Sequence, residues 1–409
     1  MRRNDWLTPE GTRDLLFEEC AAKRYLEERI TGIFENYGYS EVITPGIEFY
    51  DVFNGKARHF APETMYKLVD GKNRLMVLRP DTTMPIARLC ATRLRDEELP
   101  LKLFYNQSIF MVNPKDSGRD DEFEQSGIEI IGGENEDSDY EALFLAAKAL
   151  GECDEDYRIE IGDSGIFSEL LSQYNYSDEQ QTEKLRVNIE DKNYPAIDDM
   201  LADDKSFEAL RMLPRLFGGF EVFEEARQFL FGEAIEKKLS RLERLCRELA
   251  GIISEEKIRV DLGLVNKKNY YTGIIFKGYV EGYGQPVLSG GRYDTLIGEF
   301  GGREAKAVGF AVNIEAAAKV YLKNKGKSIA KTPDVLVFSN NRISALKHCE
   351  KLISKGLSVR NFNGICPKCA EKFAKKHGIK RLDVINENGA PASAFSFSCC
   401  ISSGSSQLS

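Results

Sequence analysis

A series of strand-like segments between residues 41 and 131 constrains the fold of this chain most strongly. Asp70-Gly71 separates two of these segments, and this dipeptide is a strong signal for a hairpin. Because the segments do not alternate regularly with helical sequence, they predict a mostly antiparallel sheet in a fold of the α+β class. The strand-like segments are 41–44, 65–69, 74–78, 102–105 and 127–131.

Helical patterns flank and interrupt this sheet. Apolar residues recur at helical spacing over 15–39. Charged, helical sequence fills about 166–255, which we interpret as a helical insertion, and strand-like segments return between 259 and 288. These patterns predict one large domain over residues 1–322.

The end of the chain has a different pattern. Strand-like and helical segments alternate over 333–390, after a lysine-rich linker at 323–331, and this alternation predicts a small α/β domain with a parallel sheet. Eight of the 17 residues from Ser393 onward are serine. We therefore expect the serine-rich tail at 391–409 to be disordered.

Charge is distributed unevenly along the chain. The formal net charge is −9 over 409 residues. Residues 333–390 contain eleven Lys or Arg against five Asp or Glu, so this unit carries +6 and the rest of the chain carries −15. Nucleic acids favour basic surfaces, so the whole chain gives little support for such a partner, although the basic unit is compatible with a local contact.

The chain lacks the patterns of a membrane or secreted protein. No apolar stretch reaches the roughly 18 residues of a membrane span, and the first residues have no apolar signal-peptide core. Nine cysteines are too few and too scattered for a disulfide framework. We expect a cytoplasmic protein without a membrane partner.

The first candidate site follows the predicted strand at 74–78. Asp81 and Thr83 lie in the segment Leu78 to Thr83, where the predicted strand ends, so we expect their side chains to point into the space that the sheet faces. A carboxylate beside a hydroxyl can accept hydrogen bonds from an ammonium group. These residue types also cap helices, so a strand-end turn that caps the next helix explains them as well.

The second candidate site lies on the predicted strand that ends at residue 131. Side chains alternate along a strand, so Gln125 and Glu129 share one face with Phe123. Polar groups on such a face either line a pocket or are buried groups with satisfied hydrogen bonds.

The third candidate site combines tyrosines with glycines. Tyr270 and Tyr271 precede Gly273, and Tyr293 follows Gly290-Gly291. Tyrosine supplies a stacking face with a hydroxyl, and paired glycines let the backbone approach a ligand closely. A Gly-Gly pair alone is equally typical of an ordinary turn.

Taken together, these segments resemble histidyl-tRNA synthetase and its paralogues. The resemblance covers about residues 6–320 in the correct order, interrupted by the helical stretch. It implies a class II aminoacyl-tRNA synthetase fold, which is an antiparallel sheet flanked by helices. Proteins with this fold are usually dimeric. The resemblance also makes residues 333–390 similar to a shortened anticodon-binding domain. The matching motifs are Pro9 to Asp14, Leu78 to Thr83, Gly118 to Gly132, Leu264 to Gly273 and Gly290 to Phe310.

The resemblance also implies a histidine pocket. In the family, the positions that match Asp81, Thr83 and Gln125 hold the amino group of histidine. The positions that surround the imidazole match Glu129, Tyr270, Tyr271 and Tyr293.

Three arginine positions of the synthetase are changed. The synthetase uses arginines around the charge that develops when the aminoacyl-adenylate forms, and losing one such group costs about 3 kcal/mol. Aligned without gaps, these positions are Met111, Asn266 and Ala316 here, although Lys267 is a candidate substitute beside Asn266. The sequence therefore predicts a protein that has lost adenylation and is not an enzyme.

One paralogue family combines this pocket with lost arginines. Tyr270 to Tyr279 resembles the regulatory subunit of ATP phosphoribosyltransferase, the complex that begins histidine biosynthesis. This resemblance implies a homodimer within a hetero-oligomer with a short-form catalytic subunit, and feedback inhibition by histidine. We expect no cofactor. Our hypothesis is that histidine binds in the old synthetase pocket.

Two alternatives stay open from the sequence. The basic C-terminal unit favours an active histidyl-tRNA synthetase, and a histidine-binding paralogue without the transferase fits the same pocket. Cys366 and Cys369 have the spacing of a redox motif or half a zinc site, with His377 and the Cys399-Cys400 pair as the nearby further ligands. We interpret the two cysteines as the start of a helix and expect no metal.

Overall fold

A computed structural model of the chain describes residues 6–54, 60–114, 118–133, 136–176, 178–201, 205–265, 270–326, 329–386 and 391–396. Its contacts divide the chain into two compact units, Met1–Lys327 and Ser328–Ser409. The boundary falls within the lysine-rich segment where the sequence predicts a linker.

The first unit contains both helices and strands along its whole length. Its α-helices are α1 Glu18–Asn36, α2 Thr83–Thr92, α3 Asp137–Cys153, α4 Ser164–Gln173, α5 Glu179–Glu190, α6 Tyr194–Leu201, α7 Glu208–Met212, α8 Glu221–Ala226, α9 Glu233–Leu249, α10 Leu296–Glu299 and α11 Ile314–Lys325. Its strands are β1 Ser40–Glu41, β2 Ile47–Phe49, β3 Lys67–Val69, β4 Leu75–Leu78, β5 Leu101–Phe110, β6 Glu122–Ile131, β7 Tyr157–Asp163, β8 Phe217–Gly218, β9 Ile258–Asp261, β10 Ile274–Val280, β11 Leu288–Tyr293 and β12 Ala307–Asn313.

Nine of these strands form the main sheet, in the order β1-β5-β6-β12-β11-β10-β7-β9-β8. The β1–β5 and β7–β9 pairs are parallel, and the other neighbouring pairs are antiparallel. The prediction of a mostly antiparallel sheet in an α+β fold is therefore confirmed.

Helices α1, α3 and α11 pack on the main sheet and on one another. Helix α1 buries one face completely, because its apolar residues recur at four-residue intervals. Phe34 of this face packs its ring against Phe104 on β5 and Phe310 on β12. The fully buried residues of α1 are Ala22, Leu26, Ile30 and Phe34.

The predicted hairpin at Asp70-Gly71 forms, with Val69 paired to Leu75. Its strands do not join the main sheet, however. They pair with β2 in a separate three-stranded sheet of order β2-β4-β3. Local turn residues specify that two strands pair, but the sheet that they join depends on distant packing.

The predicted insertion at about 166–255 contains most of α4 and all of α5 to α9. It is not wholly helical, because β8 pairs antiparallel with β9 at the edge of the main sheet. Helix α9 contacts α4 and β7 with its apolar face. The buried residues of that face are Ile235, Leu239, Leu242, Leu245, Cys246 and Leu249.

The second unit is a small α/β domain with one four-stranded sheet, and the prediction of an α/β unit is confirmed. Its strands are ordered β14-β13-β15-β16, with the first three parallel and β16 antiparallel to β15. Strand β16 differs from our expectation of a disordered tail from residue 391, and residues 397–409 lie outside the described residues. The elements are β13 Val335–Ser339, α12 Arg342–Ile353, β14 Val359–Asn361, α13 Pro367–Lys376, β15 Arg381–Ile385 and β16 Pro391–Ser396.

Within the described part of the chain, every helix is too short or too polar to cross a membrane.

Candidate functional site

Asp81 lies where β4 leads into α2, and its side chain is 2% exposed. One carboxylate oxygen, Oδ1, accepts a hydrogen bond of 3.1 Å from the backbone N–H of Met84. The other, Oδ2, lies 3.5 Å from the Tyr270 hydroxyl, which donates to it. One oxygen of Asp81 therefore accepts from the first turn of α2, as in the helix-capping interpretation, and the other faces Tyr270.

Glu129 lies on β6 and is 1% exposed. Its Oε1 accepts a hydrogen bond of 2.7 Å from the hydroxyl of Thr83, and its Oε2 accepts one of 2.6 Å from the hydroxyl of Tyr293. Because these donors come from α2 and β11, three elements that are distant in sequence meet at this carboxylate.

Tyrosine rings connect the two carboxylates. The ring centroids of Tyr270 lie 4.8 Å from Tyr271 and 5.9 Å from Tyr293, both in edge-on arrangements. Burial raises the pKa of Tyr270 and Tyr293 well above the usual value, and negative charge adds to this, from Asp81 and Glu129 at Tyr270 and from Glu129 at Tyr293. Both phenols therefore keep their protons and can act as hydrogen-bond donors.

Tyr105 on β5 belongs to the same buried group, although no sequence motif pointed to it. Its side chain is 1% exposed, and burial together with Glu129 and Asp81 raises its pKa well above the usual value. Gly127 faces it directly, because a Cβ at that position would lie 2.6 Å from the Tyr105 hydroxyl. Tyr105 ends a segment that we predicted as a strand, but the strand register that brings it to Glu129 is not visible in a sequence.

The predicted residues Asp81, Thr83, Glu129, Tyr270, Tyr271 and Tyr293 thus form one cluster, which we call the carboxylate–tyrosine pocket. Gln125 lies on the same face of β6 as Glu129, in a neighbouring cavity of about 210 Å³. Pro80, which precedes Asp81, also lines that cavity.

Met111 and Ala316, two of the positions at which we predict a lost arginine, meet at this cavity. Met111 follows β5, and its backbone N–H donates to the carbonyl oxygen of Asp121 over 2.8 Å. Ala316 lies in the first turn of α11, where its N–H donates to the side-chain oxygen of Asn313 over 2.9 Å. Both side chains line the cavity next to Gln125, although they are about 200 residues apart in sequence.

The third position, Asn266, and its neighbour Lys267 lie outside the described residues.

The cavity also contains two cations that the sequence analysis did not single out. The Nζ of Lys319 lies 3.0 Å from the carboxylate of Asp120. The guanidinium of Arg119 donates to the side-chain oxygen of Gln285. Each cation is therefore paired with a neighbouring side chain, whereas Met111 and Ala316 contribute only apolar atoms from their side chains.

Among the described residues, no group of three or more His, Cys, Asp or Glu side chains is arranged to hold a metal ion.

Comparison with known proteins establishes the class to which this fold and pocket belong. A family model described as histidyl-tRNA synthetase matches residues 11–317. A solved structure described as a histidyl-tRNA synthetase from Nostoc sp. PCC 7120 superposes with a TM-score of 0.74 at 22% identity, over 94% of this chain and 92% of that one. The main unit therefore has the fold of the class II synthetases, as predicted.

More similar relatives define the particular family. A Clostridium kluyveri protein called ATP phosphoribosyltransferase regulatory subunit is 37% identical over 385 residues, which is 92% of this chain and 98% of the relative. A regulatory subunit of the same description from Clostridium acetobutylicum is 42% identical over 75% of this chain and 77% of its own length. The chain belongs to the family of ATP phosphoribosyltransferase regulatory subunits, which confirms the family that the sequence predicts.

A solved structure agrees with this assignment. It is described as an ATP phosphoribosyltransferase regulatory subunit/histidyl-tRNA synthetase from Bacillus halodurans C, and it superposes with a TM-score of 0.78 at 29% identity. The superposition covers 93% of this chain and 98% of that chain.

Proposed function

We propose that this chain is a non-catalytic regulatory subunit that assembles with a short-form ATP phosphoribosyltransferase catalytic subunit and makes its activity responsive to histidine. One observation carries this proposal. Two buried carboxylates and several tyrosines form one cluster, and Pro80 and Gln125 line a cavity together with Met111 and Ala316, where we predict that synthetase arginines are lost.

The chemistry of the carboxylate–tyrosine pocket suits histidine. Histidine brings an ammonium group and imidazole N–H groups, which are donors, to carboxylates and hydroxyls that accept hydrogen bonds. We assign the amino group to Asp81, Thr83 and Gln125. Hydrogen bonds to charged groups contribute about 1.5–3 kcal/mol each, so a few of them are sufficient for selective binding.

The imidazole belongs on the Glu129 side of the pocket. Tyr293 donates to one oxygen of this carboxylate and Thr83 to the other, so both set its orientation. A carboxylate held in this way can accept an imidazole N–H, while the rings of Tyr270 and Tyr271 supply flat apolar walls.

The neighbouring cavity explains why binding does not lead to adenylation. A positive group that stabilises charge in a transition state contributes about 3 kcal/mol, or roughly a hundredfold in rate. Methionine and alanine cannot supply that stabilisation at residues 111 and 316. Histidine then remains a signal rather than a substrate.

We further propose that the subunit is a homodimer within its hetero-oligomer. Apolar side chains are exposed on and beside the three-stranded sheet, and we call them the sheet patch. Such clusters favour protein–protein contacts. The sheet patch comprises Ile47 and Phe49, which share one face of β2, and the preceding Ile43; they are 47, 45 and 77% exposed.

Reconstitution tests the assignment of a regulatory subunit. The full chain is mixed with a short-form ATP phosphoribosyltransferase, and co-purification and transferase activity are measured with and without histidine. We expect a stable complex, an increase in activity and inhibition by histidine. A histidine-binding paralogue that acts alone would neither co-purify nor raise the activity.

Calorimetry on pocket variants tests the histidine site. Asp81→Ala and Glu129→Ala are expected to lower histidine affinity at least about tenfold, since each removes a charged acceptor. Asp383→Ala is the matched control, because it removes a carboxylate that is also 1% exposed but lies in the C-terminal unit. Unchanged affinity in both pocket variants would place histidine elsewhere.

An exchange assay separates this proposal from an active synthetase. We expect no histidine-dependent exchange of pyrophosphate into ATP by the full chain. Exchange at a rate typical of a synthetase would contradict the proposal and favour the active synthetase.

A further inference from the structure

Two cysteines meet at the beginning of α13 in the C-terminal unit. The Sγ atoms of Cys366 and Cys369 lie 2.7 Å apart. A disulfide bond is about 2.05 Å long, so a small rotation of either side chain brings the sulfurs to bonding distance. Both thiols are partly exposed, and the preceding Ile365 is 93% exposed. A small oxidant can therefore reach the pair from solvent.

The surroundings favour the thiolate of Cys366. This residue is the N-cap of α13, and its sulfur accepts a hydrogen bond of 3.2 Å from the backbone N–H of Cys369. A helix N-terminus carries a partial positive charge, which stabilises an anion there. Hydrogen bonds from Cys369, together with the charge of Lys368, lower the pKa of the Cys366 thiol below its usual value.

The pKa of the Cys369 thiol shifts in the opposite direction from that of Cys366. The neighbouring Cys366 sulfur raises the pKa of the Cys369 thiol above its usual value. The pair therefore contains one group that attacks readily and one that keeps its proton until an intermediate has formed.

Most other described cysteines are buried and unreactive. Burial raises the pKa of the Cys90, Cys153 and Cys246 thiols to about 12. Cys349 is also buried, and burial raises its pKa as well. Cys20 is partly exposed, and its thiol donates to the carbonyl oxygen of Leu15 over 3.0 Å, so it provides an internal reference.

Among the described residues, no third His, Cys, Asp or Glu side chain joins this pair in an arrangement that could hold a metal ion, and Cys399 and Cys400 lie outside the described residues. The sequence offers His377 as a further ligand, but this residue follows the C-terminal end of α13. Ten helical residues span about 15 Å, which is far beyond the reach of one metal ion. The ring of His377 instead stacks on Phe373 at 3.9 Å.

We propose that Cys366 and Cys369 form a reversible disulfide by thiol–disulfide exchange with a low-molecular-weight disulfide. The Cys366 thiolate attacks one sulfur of the oxidant RSSR, forms a mixed disulfide and expels RS⁻. Cys369 then loses its proton, attacks the Cys366 sulfur and expels the second RS⁻. The protein dithiol loses two electrons, one RSSR is reduced, and the two thiol protons end on two RSH molecules. This site gives the subunit a redox-dependent modification that is independent of its histidine pocket.

Incubation of the full chain with oxidised glutathione tests the proposal, with mass mapping of the fragments after the remaining thiols are alkylated. In the wild type we expect the fragment that contains Cys366 and Cys369 to lose the mass of two hydrogen atoms and to carry no glutathione. Cys369→Ser should trap one glutathione on Cys366. Cys366→Ser retains a good N-cap and should abolish the fast reaction.

The rate of alkylation provides a second readout. At pH 7 we expect Cys366 to react about tenfold faster than Cys20, since the thiolate is the reactive form. The Cys20→Ser variant serves as the control and should keep the fast reaction.

Three results would overturn the proposal. The wild type could stay reduced in oxidised glutathione, or the fast alkylation could persist in Cys366→Ser. Alternatively, one added zinc ion per chain could protect both thiols, which would make the pair part of a metal site.

Discussion

At the scale of single residues, the pocket depends on how Glu129 is held. Thr83 and Tyr293 donate to its two oxygens, and Gly309 on the neighbouring β12 lies beside it. A Cβ on Gly309 would lie 1.8 Å from Oε2 of Glu129. Because glycine has no side chain, residue 309 leaves room for the Glu129 carboxylate. No pattern in the sequence singles out this glycine.

Gly309→Ala is expected to displace the Glu129 carboxylate. Overpacking of a buried site costs about 1–3 kcal/mol of folding free energy, and the shifted carboxylate should also weaken histidine binding. Urea unfolding and calorimetry of histidine binding measure the two effects. The control is Gly32→Ala in α1, where a Cβ meets no atom within 4 Å and alanine favours the helix. An unchanged histidine affinity in Gly309→Ala would contradict this account of the pocket.

At the scale of elements, the side-chain alternation that we read on β6 was correct, since Gln125 and Glu129 share a face. The sequence did not predict that β6 pairs with β5 on one side and with β12 on the other. Backbone hydrogen bonds form with any residue type, so local sequence does not identify the partner of a strand. This register is what brings Tyr105 and Gly309 to the pocket.

An ion-pair group links strand β15 to helix α12 in the C-terminal unit. Asp383 is 1% exposed and accepts hydrogen bonds from Nε and Nη2 of Arg381, at 2.8 and 2.7 Å. Nε2 of His348 lies 2.8 Å from the same carboxylate. Burial opposes the charge, but the hydrogen bonds from Arg381 and His348 outweigh it, and the pKa of Asp383 is lowered.

This lowered pKa gives the unit an acid-dependent stability. The stabilisation is complete above the ordinary carboxyl pKa and is lost as pH falls through the folded-state pKa, because the unfolded state then binds the proton more readily. Asp383→Asn should remove this pH dependence and destabilise the unit by about 3 kcal/mol at neutral pH. Thermal unfolding of the full chain at a series of pH values measures both effects.

Glu371→Gln is the control for this prediction. Glu371 forms an ion pair of 2.7 Å with Lys375 on the exposed side of α13, and such surface pairs contribute about 0.5 kcal/mol or less. Equal destabilisation by Glu371→Gln and Asp383→Asn would show that burial does not increase the contribution of the Asp383 ion pairs to the free energy of unfolding.

At the scale of the whole molecule, the sheet patch is the surface from which we infer the homodimer. Ile47→Glu combined with Phe49→Glu places two charges on the same face of β2, among the apolar residues of the patch. We expect the molar mass of the isolated subunit, measured by light scattering, to fall by about half, because burying unpaired charges in an interface is costly.

Ile252→Glu is the matched control for the homodimer. Ile252 is 63% exposed but follows α9, far from the three-stranded sheet in the sequence. Its substitution should leave the molar mass unchanged. A mass that is the same for the double variant and the wild type would mean that the sheet patch is not the dimer contact.

The sequence by itself determined the fold class, the order of the main elements and most of the pocket residues. Periodicities of two and 3.6 residues and short ordered motifs are local properties, so they identified β4 to β6, α1 and the C-terminal α/β unit. They also identified Asp81, Glu129 and the tyrosines, since the motifs that contain these residues are contiguous.

Only the tertiary structure decided which of these residues meet. It joined Glu129 to Tyr293 and Gly309, brought Met111 and Ala316 to one cavity, and separated His377 from the Cys366–Cys369 pair. The physical reason is the same in each case. These distances are fixed by strand register, helix length and packing between segments far apart in the chain, and no short stretch of sequence encodes them.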